Sequence, residues 1–233
     1  MPGFAIRALG LEAVGIFSAV PFLETLDPAD RNALLAVGTR RAYRHGEVIM
    51  RQGNRDAFVV VLLAGWTSVG ATAENGRSVI FTLYGPLDLI GEQAALDGGV
   101  RSATVAALTD VTAVRIEGPA FRAFLDAHPR VGGAIVRMIS WRLRSASAQR
   151  EALATLPVLQ RLARLILDLE EAAPSSGPAR PALAQHELAA AIGTTRESVA
   201  KALADLRSRK VLRTDGRHIT VLDRSALSAI AAL

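Results

Sequence analysis

The chain has 233 residues, 50% hydrophobic and 21% charged, a balance that supports one large or two ordinary globular domains and excludes disorder and fibrous structure. Its formal charge of +5 makes polyanions, nucleic acid first, the partners to test. Cysteine is absent, which removes disulfides, thiolate nucleophiles, thiol redox sensing and Cys-ligated zinc or iron–sulfur clusters.

The stretch from Ala8 to Phe22 is broken by Glu12 and lacks a basic flank with a cleavage site. No run approaches the roughly 20 apolar residues of a membrane span, so a cytoplasmic location with no membrane partner is expected. Short helical segments are predicted around Leu11, Val14 and Phe17 and over Pro28 to Val37, the latter with Asp27 as N-cap and Pro at the first position. From Arg40 to Ile116 the texture becomes β-rich, with strands predicted at Glu47–Met50, Ala57–Leu63, Thr67–Ala71, Ser78–Leu83, Ala103–Ala106 and Thr112–Ile116. Turn residues separate them, Asn75-Gly76 being the best hairpin signal. This spacing predicts an antiparallel barrel or sandwich.

A helix follows Gly118-Pro119, and after His128-Pro129 a long one runs from Arg130 to about Leu156. In it Val131, Ala134, Met138, Trp141, Ser145, Ala148 and Ala152 recur at spacings of three and four, as a helix–helix seam does. A second line, Ile135, Ile139, Leu143, Ala146 and Leu153, lies beside the first. Two apolar faces predict packing on the helix's own domain and on a second copy of the chain. Pro157 opens another helix through Glu171, and the Pro/Ala/Ser/Gly-rich stretch Ala172 to Pro181 reads as a loop.

Between Leu183 and Arg217 seven basic residues stand against four acidic ones. A helix beginning near Gln185 ends at Gly193, and a second begins after Thr195, a suitable N-cap. Leu188, Ile192, Val199 and Leu203 supply the core between them, leaving Arg196, Glu197 and Lys201 on the outer face. Arg can donate twice to guanine, Glu can accept from cytosine, and Lys can reach a guanine or a phosphate. Val211–Arg213, a turn at Thr214-Asp215-Gly216 and His218–Leu222 form a hairpin, completing a winged helix-turn-helix. Arg213 and Arg217, with His218, can contact phosphate there.

Two stretches carry a family resemblance: Gly91-Glu92-Gln93-Ala94-Ala95-Leu96 with Arg101-Ser102-Ala103, and Gly193-Thr194-Thr195-Arg196-Glu197-Ser198-Val199. With the order β-rich unit, long helix, reading helix, the chain from Ile16 to Leu222 resembles the cyclic-AMP receptor protein and fumarate-nitrate-reduction regulator (Crp/Fnr) family of bacterial transcription factors. The resemblance implies an α+β chain. Residues 1–128 form an antiparallel, jelly-roll-like β-roll that binds a cyclic nucleotide, residues 129–156 a dimerisation helix, and residues 157–233 a winged helix-turn-helix. The expected function is sequence-specific DNA binding under control of a cyclic nucleotide, cyclic AMP first, as an allosteric ligand, with no covalent cofactor. The expected partners are a second copy of the chain, a twofold-symmetric double-stranded operator and RNA polymerase.

The first stretch looks like the family's phosphate-binding cassette. Gly91 opens a short helix with free backbone N–H groups, Gln93 lies on it, Arg101 and Ser102 hold the phosphate, and Glu92 faces a ribose hydroxyl. On the residues alone, without the resemblance, a surface ion pair between Glu92 and Arg101 is the better reading. Cyclic-AMP-binding members carry a Thr-Ser pair on the long helix for the base, the Ser reaching across from the partner subunit. Here Ala146 and Ser147 stand at those positions, so one base contact is lost and selectivity falls to Ser147 or shifts to another nucleotide. Leu87 replaces the family's usual Gly before Asp88, predicting an altered backbone there, and Lys201 replaces a common Arg, predicting softer base discrimination. No His pair has metal-ligand spacing, so no metal site is expected.

Three alternatives remain open: the same DNA-binding dimer with a vestigial sensor or another effector, a regulatory subunit acting on a protein partner, and an enzyme. The last is least favoured, and no catalytic residue is assigned, because no His–carboxylate motif or Walker-type loop is present.

Overall fold

The computed structural model describes residue 16 and residues 20–72, 78–171 and 181–232. The Asn75-Gly76 signal, most of the Ala172–Pro181 stretch and the helical reading around Leu11, Val14 and Phe17 lie outside the described residues. The first described elements are a 3₁₀ turn, Phe22–Thr25, and α1, Pro28–Val37. Eight strands and a short helix follow: β1 Thr39–Tyr43, β2 Val48–Met50, β3 Phe58–Ala64, β4 Thr67–Thr72, β5 Ser78–Tyr84, β6 Leu89–Ile90, α2 Glu92–Asp97, β7 Thr104–Ala107 and β8 Val111–Glu117. Helices α3, Gly118–Ala127, α4, Pro129–Thr155, and α5, Val158–Glu171, lead to α6, Gln185–Ala191, and α7, Arg196–Ser208. The hairpin β9, Leu212–Asp215, and β10, His218–Val221, and a last helix α8, Arg224–Ala232, complete the chain.

The strands form two four-stranded antiparallel sheets, ordered β1-β8-β3-β6 and β2-β7-β4-β5. The apolar run of β3 has a simple cause. Phe58, Val60 and Leu62 face the space between the sheets with Met50, Tyr84, Ile90 and Val105, while Val59 and Val61 face a layer of helices holding Leu34, Phe121, Phe124 and Val131. A strand buried on both faces has no polar position to alternate with.

Two strands escape the sequence reading. β1 is an exposed edge strand rich in arginine, and β6 is two residues long. Helix α8 was not expected either; it packs on α5, where Arg164 Nε donates to the Ala231 carbonyl at 2.9 Å. Asp27 stands at the N-cap of α1 but makes no side-chain capping bond.

The turn before β6 has a left-handed residue. Leu87 has φ +71°, the left-handed conformation that glycine takes freely and that sets a branched residue back by about 1–2 kcal/mol. Its N–H donates to Leu62 O at 2.7 Å and its carbonyl accepts from Leu23 N at 2.9 Å, so the turn is tied on both sides. Buried Asp88 then accepts from Gly85 N at 3.0 Å.

On helix α4 the two apolar lines divide between core and surface. Of the first line, Val131 and Ala134 are buried in the chain's own core, and Trp141 and Ser145 line a cavity. The exposed large apolar residues on this helix are Val136, 64% exposed, and, from the second line, Leu143, 65% exposed, and Leu153. No helix among the described residues is long and apolar enough to cross a membrane.

Candidate ligand pocket and nucleic-acid interface

A cavity of about 450 Å³ lies between the β-roll and α4. Its walls bring together five of the residues singled out in the sequence: Gly91, Glu92, Gln93, Arg101 and Ser102. Gly91, with φ +87°, is the N-cap of α2. A side chain there would be strained by that φ and would press on Arg101 Nη1 at 2.8 Å and on Met50, so the turn requires glycine.

Arg101 is 3% exposed. Its Nε donates to Asp56 Oδ1 at 2.8 Å, Nη1 to Gly91 O at 3.0 Å and Nη2 to Phe58 O at 2.7 Å, and the guanidinium lies 4.6 Å from the centre of the Phe58 ring. A guanidinium has five N–H donors, so these bonds fix its plane and leave one N–H on each terminal nitrogen. Ser102, at the surface, donates from Oγ to Gln93 Oε1 at 3.0 Å.

Glu92 is not paired with Arg101. It is 2% exposed and meets Arg142 of α4, Nη1 to Oε1 at 2.8 Å. Arg142 also donates from Nη2 to Leu89 O at 2.7 Å and lies 4.5 Å from the centre of the Tyr84 ring. Burial raises the Tyr84 hydroxyl well above its ordinary range, keeping it a neutral donor. The Glu92–Arg142 pair joins the cassette turn to the long helix. Neither Asp56 nor Arg142 was singled out beforehand. Asp56 lies in a turn with no motif, and Arg142 is one arginine among several on α4.

The rest of the α4 wall is Ile139, Trp141, Leu143, Ser145, Ala146 and Gln149. Ser147 lies outside this cavity: it is exposed, and its Oγ donates to Leu143 O at 3.1 Å. Among the described residues no group of three or more His, Asp or Glu side chains could hold a metal ion. His128 stacks on Phe124, ring centres 4.0 Å apart, and His45 Nδ1 lies 2.7 Å from Leu108 O.

In the C-terminal unit Leu188, Ile192, Val199 and Leu203 are buried between α6 and α7. Gly193, φ +62°, makes the turn, with Thr194 N–H reaching back to Ala189 O at 3.0 Å. Thr195 caps α7, its Oγ1 accepting from Ser198 N at 3.3 Å. Arg196, Glu197 and Lys201 are all exposed on α7. The Glu197 carboxyl is held below its usual range, first by its own backbone N–H and then by the Thr195 hydroxyl, and so stands as an ionised acceptor.

The hairpin register pairs His218 with Asp215, so the turn is Gly216-Arg217, two residues, and Asp215 belongs to the strand rather than the turn. Arg213 and Arg217 are exposed on it. Arg207 Nη1 donates to Thr214 Oγ1 at 3.0 Å and ties the hairpin to α7. Arg196 and Arg217 line one hollow of about 300 Å³ between α6, α7 and the hairpin.

Comparison with known proteins gives the same two units. Residues 40–128 match the family described as "Cyclic nucleotide-binding domain", and residues 160–230 match "Crp-like helix-turn-helix domain". The chain is 28% identical over 190 residues to the CRP-like cAMP-activated global transcriptional regulator of Mycobacterium tuberculosis, covering 80% of this chain and 85% of that protein. It is 28% identical over 211 residues to the cyclic AMP receptor protein of Thermus thermophilus, covering 91% and 96%. Among solved structures it is similar to a CRP-family transcriptional regulator, also from Thermus thermophilus, with TM-score 0.70 and 26% identity over 83% of this chain and 97% of that one. FixK2 from Bradyrhizobium japonicum shares the fold, with TM-score 0.76 and 22% identity over 84% and 98%. With a cyclic nucleotide-binding domain followed by a Crp-like helix-turn-helix, the chain belongs to the Crp/Fnr family of transcription regulators.

Proposed function

We propose that the protein is a homodimeric transcription regulator whose N-terminal cavity takes a cyclic nucleotide, cyclic AMP first, and whose α7 helices read a twofold-symmetric operator. The division is the one expected from sequence: residues 1–128 as sensor, 129–156 as dimer helix, 157–233 as DNA-binding domain. The observation that carries the reading is the Arg101 fork. Three of its five N–H groups are committed, and the guanidinium lines a cavity of about 450 Å³ together with Ser102 and Glu92. Such a set suits one anionic phosphate and one hydroxyl-bearing sugar.

Gly91, Gln93 and Ser102 frame the phosphate end in this reading, and Ala146 leaves the base end with an apolar contact. The exposed pair Val136 and Leu143, one heptad apart, suits a second copy of α4. That copy brings its own Ser147 towards the cavity. Thr195, Arg196, Glu197, Lys201, Arg213 and Arg217 form the DNA face, the first four at the start of the reading helix and the last two against phosphate.

Calorimetric titration with cyclic AMP and, separately, cyclic GMP tests the sensor. Saturable binding of both is expected, weakened at least tenfold in Ser102→Ala, which removes an exposed hydroxyl and no core contact. A lost base contact is worth about 0.5–1.5 kcal/mol, so the two affinities should lie within about tenfold of each other. No heat with either ligand sinks the cyclic nucleotide reading and supports a different effector. A solved relative of this fold from Xanthomonas campestris is described as c-di-GMP responsive, and that dinucleotide is the next ligand to titrate.

For the DNA face, Arg196→Ala should lose about 1–3 kcal/mol on the specific operator and relax preference at one base pair. An equal loss on all DNA sequences would assign Arg196 to phosphate instead.

A further inference from the structure

The main chain of Ile16 lies between the β-roll and the DNA-binding unit and bonds to both. Its carbonyl accepts from Leu83 N at 2.9 Å and from Thr82 Oγ1 at 2.7 Å, both on β5, the edge strand of its sheet. Its N–H donates to Asp168 Oδ2 of α5 at 3.3 Å. Around this bridge Ile16, Trp66, Ile80 and Leu83 share one apolar cluster with Leu165, Ile166, Leu188 and Ile192. The helix-turn-helix therefore docks on the β-roll through an apolar contact that contains, among the described residues, the Asp168 carboxyl group.

We propose that Asp168, the Ile16 main chain and β5 form a proton-operated latch: the neutral acid lets the DNA-binding unit stay docked on the sensor's edge strand, and its ionisation favours release. The physical basis is the cost of a charge half-buried between two packed units. Among the described residues, Asp168 has a single hydrogen-bond donor in the latch, the Ile16 N–H. The charged groups facing it are Arg164 and Glu171 on its own helix, with Arg161 lining the same small hollow. Arg164 is partly engaged, donating to Ala231 O. From α4 the hollow receives Gln149, Ala152 and Leu153, from α6 Ala191 and Ile192, none of them ionisable. Burial pushes the Asp168 carboxyl up to about 7, against the lowering effect of the Ile16 N–H; Glu171 raises it and Arg164 lowers it.

The sign follows from linkage. A carboxyl raised above its free value is neutral when docked and ionised when released across the interval from about 4 to 7. Its contribution to docking is complete below that interval and is lost as pH rises through it.

The test is amide hydrogen exchange of the full chain at pH 5.5 and 8.5, corrected for the intrinsic pH dependence and read at Leu83 and along α5. Opening should increase on the order of tenfold or more at the higher pH in the wild type. In Asp168→Asn, which keeps the acceptor and cannot ionise, the two values should agree. Thr82→Val removes one donor to the Ile16 carbonyl; it should raise opening at both pH values and leave the pH dependence intact. Equal opening at both pH values in the wild type, or an undiminished difference in Asp168→Asn, overturns the latch. Should Asp168→Asn fail to fold, the carboxyl carbon of Asp168 can be titrated directly by NMR. A midpoint in the ordinary carboxylate range overturns the latch equally well.

Discussion

Arg101→Ala is expected to destabilise the β-roll by about 3 kcal/mol or more, measured by urea unfolding of the ligand-free protein, besides removing the proposed phosphate contact. The expectation rests on what the guanidinium already holds. The substitution leaves the Gly91 and Phe58 carbonyls and the Asp56 carboxylate without their donor, and strips one face of the Phe58 ring. A buried polar group left without a partner loses about 1–3 kcal/mol, and two carbonyls are involved before Asp56 is counted. Loss of nucleotide binding in this variant is therefore not a clean reading of the phosphate contact. Arg101→Lys keeps the charge but not the fork, and should recover part of the stability and little of the affinity. An unchanged unfolding midpoint in Arg101→Ala would show that this network contributes nothing to the fold.

Arg142→Met should cost about 3–5 kcal/mol, because it leaves the Glu92 carboxylate enclosed beside α2 with its cation gone. The companion Glu92→Gln removes the charge from the other side. Combined with Arg142→Met it should be less destabilising than the sum of the two single changes, by about 1–3 kcal/mol. Unfolding of the four proteins in the cycle gives that coupling directly. Additive losses would mean that the 2.8 Å contact carries no net energy. The cycle bears on the proposed function as well: in that reading a ligand hydroxyl bonding to Glu92 would compete for the carboxylate that holds Arg142 and so would couple binding to the long helix.

The succession of strands, the long helix and the winged unit could be read from sequence because each announces itself through a period or a punctuating residue. β3 is the clearest case, an unbroken apolar run. What the sequence concealed falls into two kinds. β1 is carried by Thr39-Arg40-Arg41-Ala42-Tyr43, whose exposed edge position needs no apolar alternation, so only its pairing with β8 makes it a strand. The partners inside the pocket were hidden for a different reason. Glu92 and Arg142 are fifty residues apart, and Arg101 and Asp56 forty-five, so their pairing is decided by how the sheets and α4 close on one another. The burial of Val131 and Ala134 on the sensor side of α4 could not be distinguished from a seam by spacing alone, since both faces of the helix repeat at three and four.

Helix α4 is also a lever pinned at its midpoint. Arg142 fastens it to the β-roll near its middle, and Leu153, towards its far end, lies against Gly193 in the turn that leads into α7. At 1.5 Å per residue the arm from Arg142 to the end of the helix is about 20 Å, so a tilt of about 5° at the fulcrum sweeps the tip by nearly 2 Å. The mechanical advantage is set by where along the helix the arginine stands. Moving that anchor one helical turn towards Leu153 would shorten the arm by about 5 Å and reduce the sweep in proportion, with no residue of the reading helix altered.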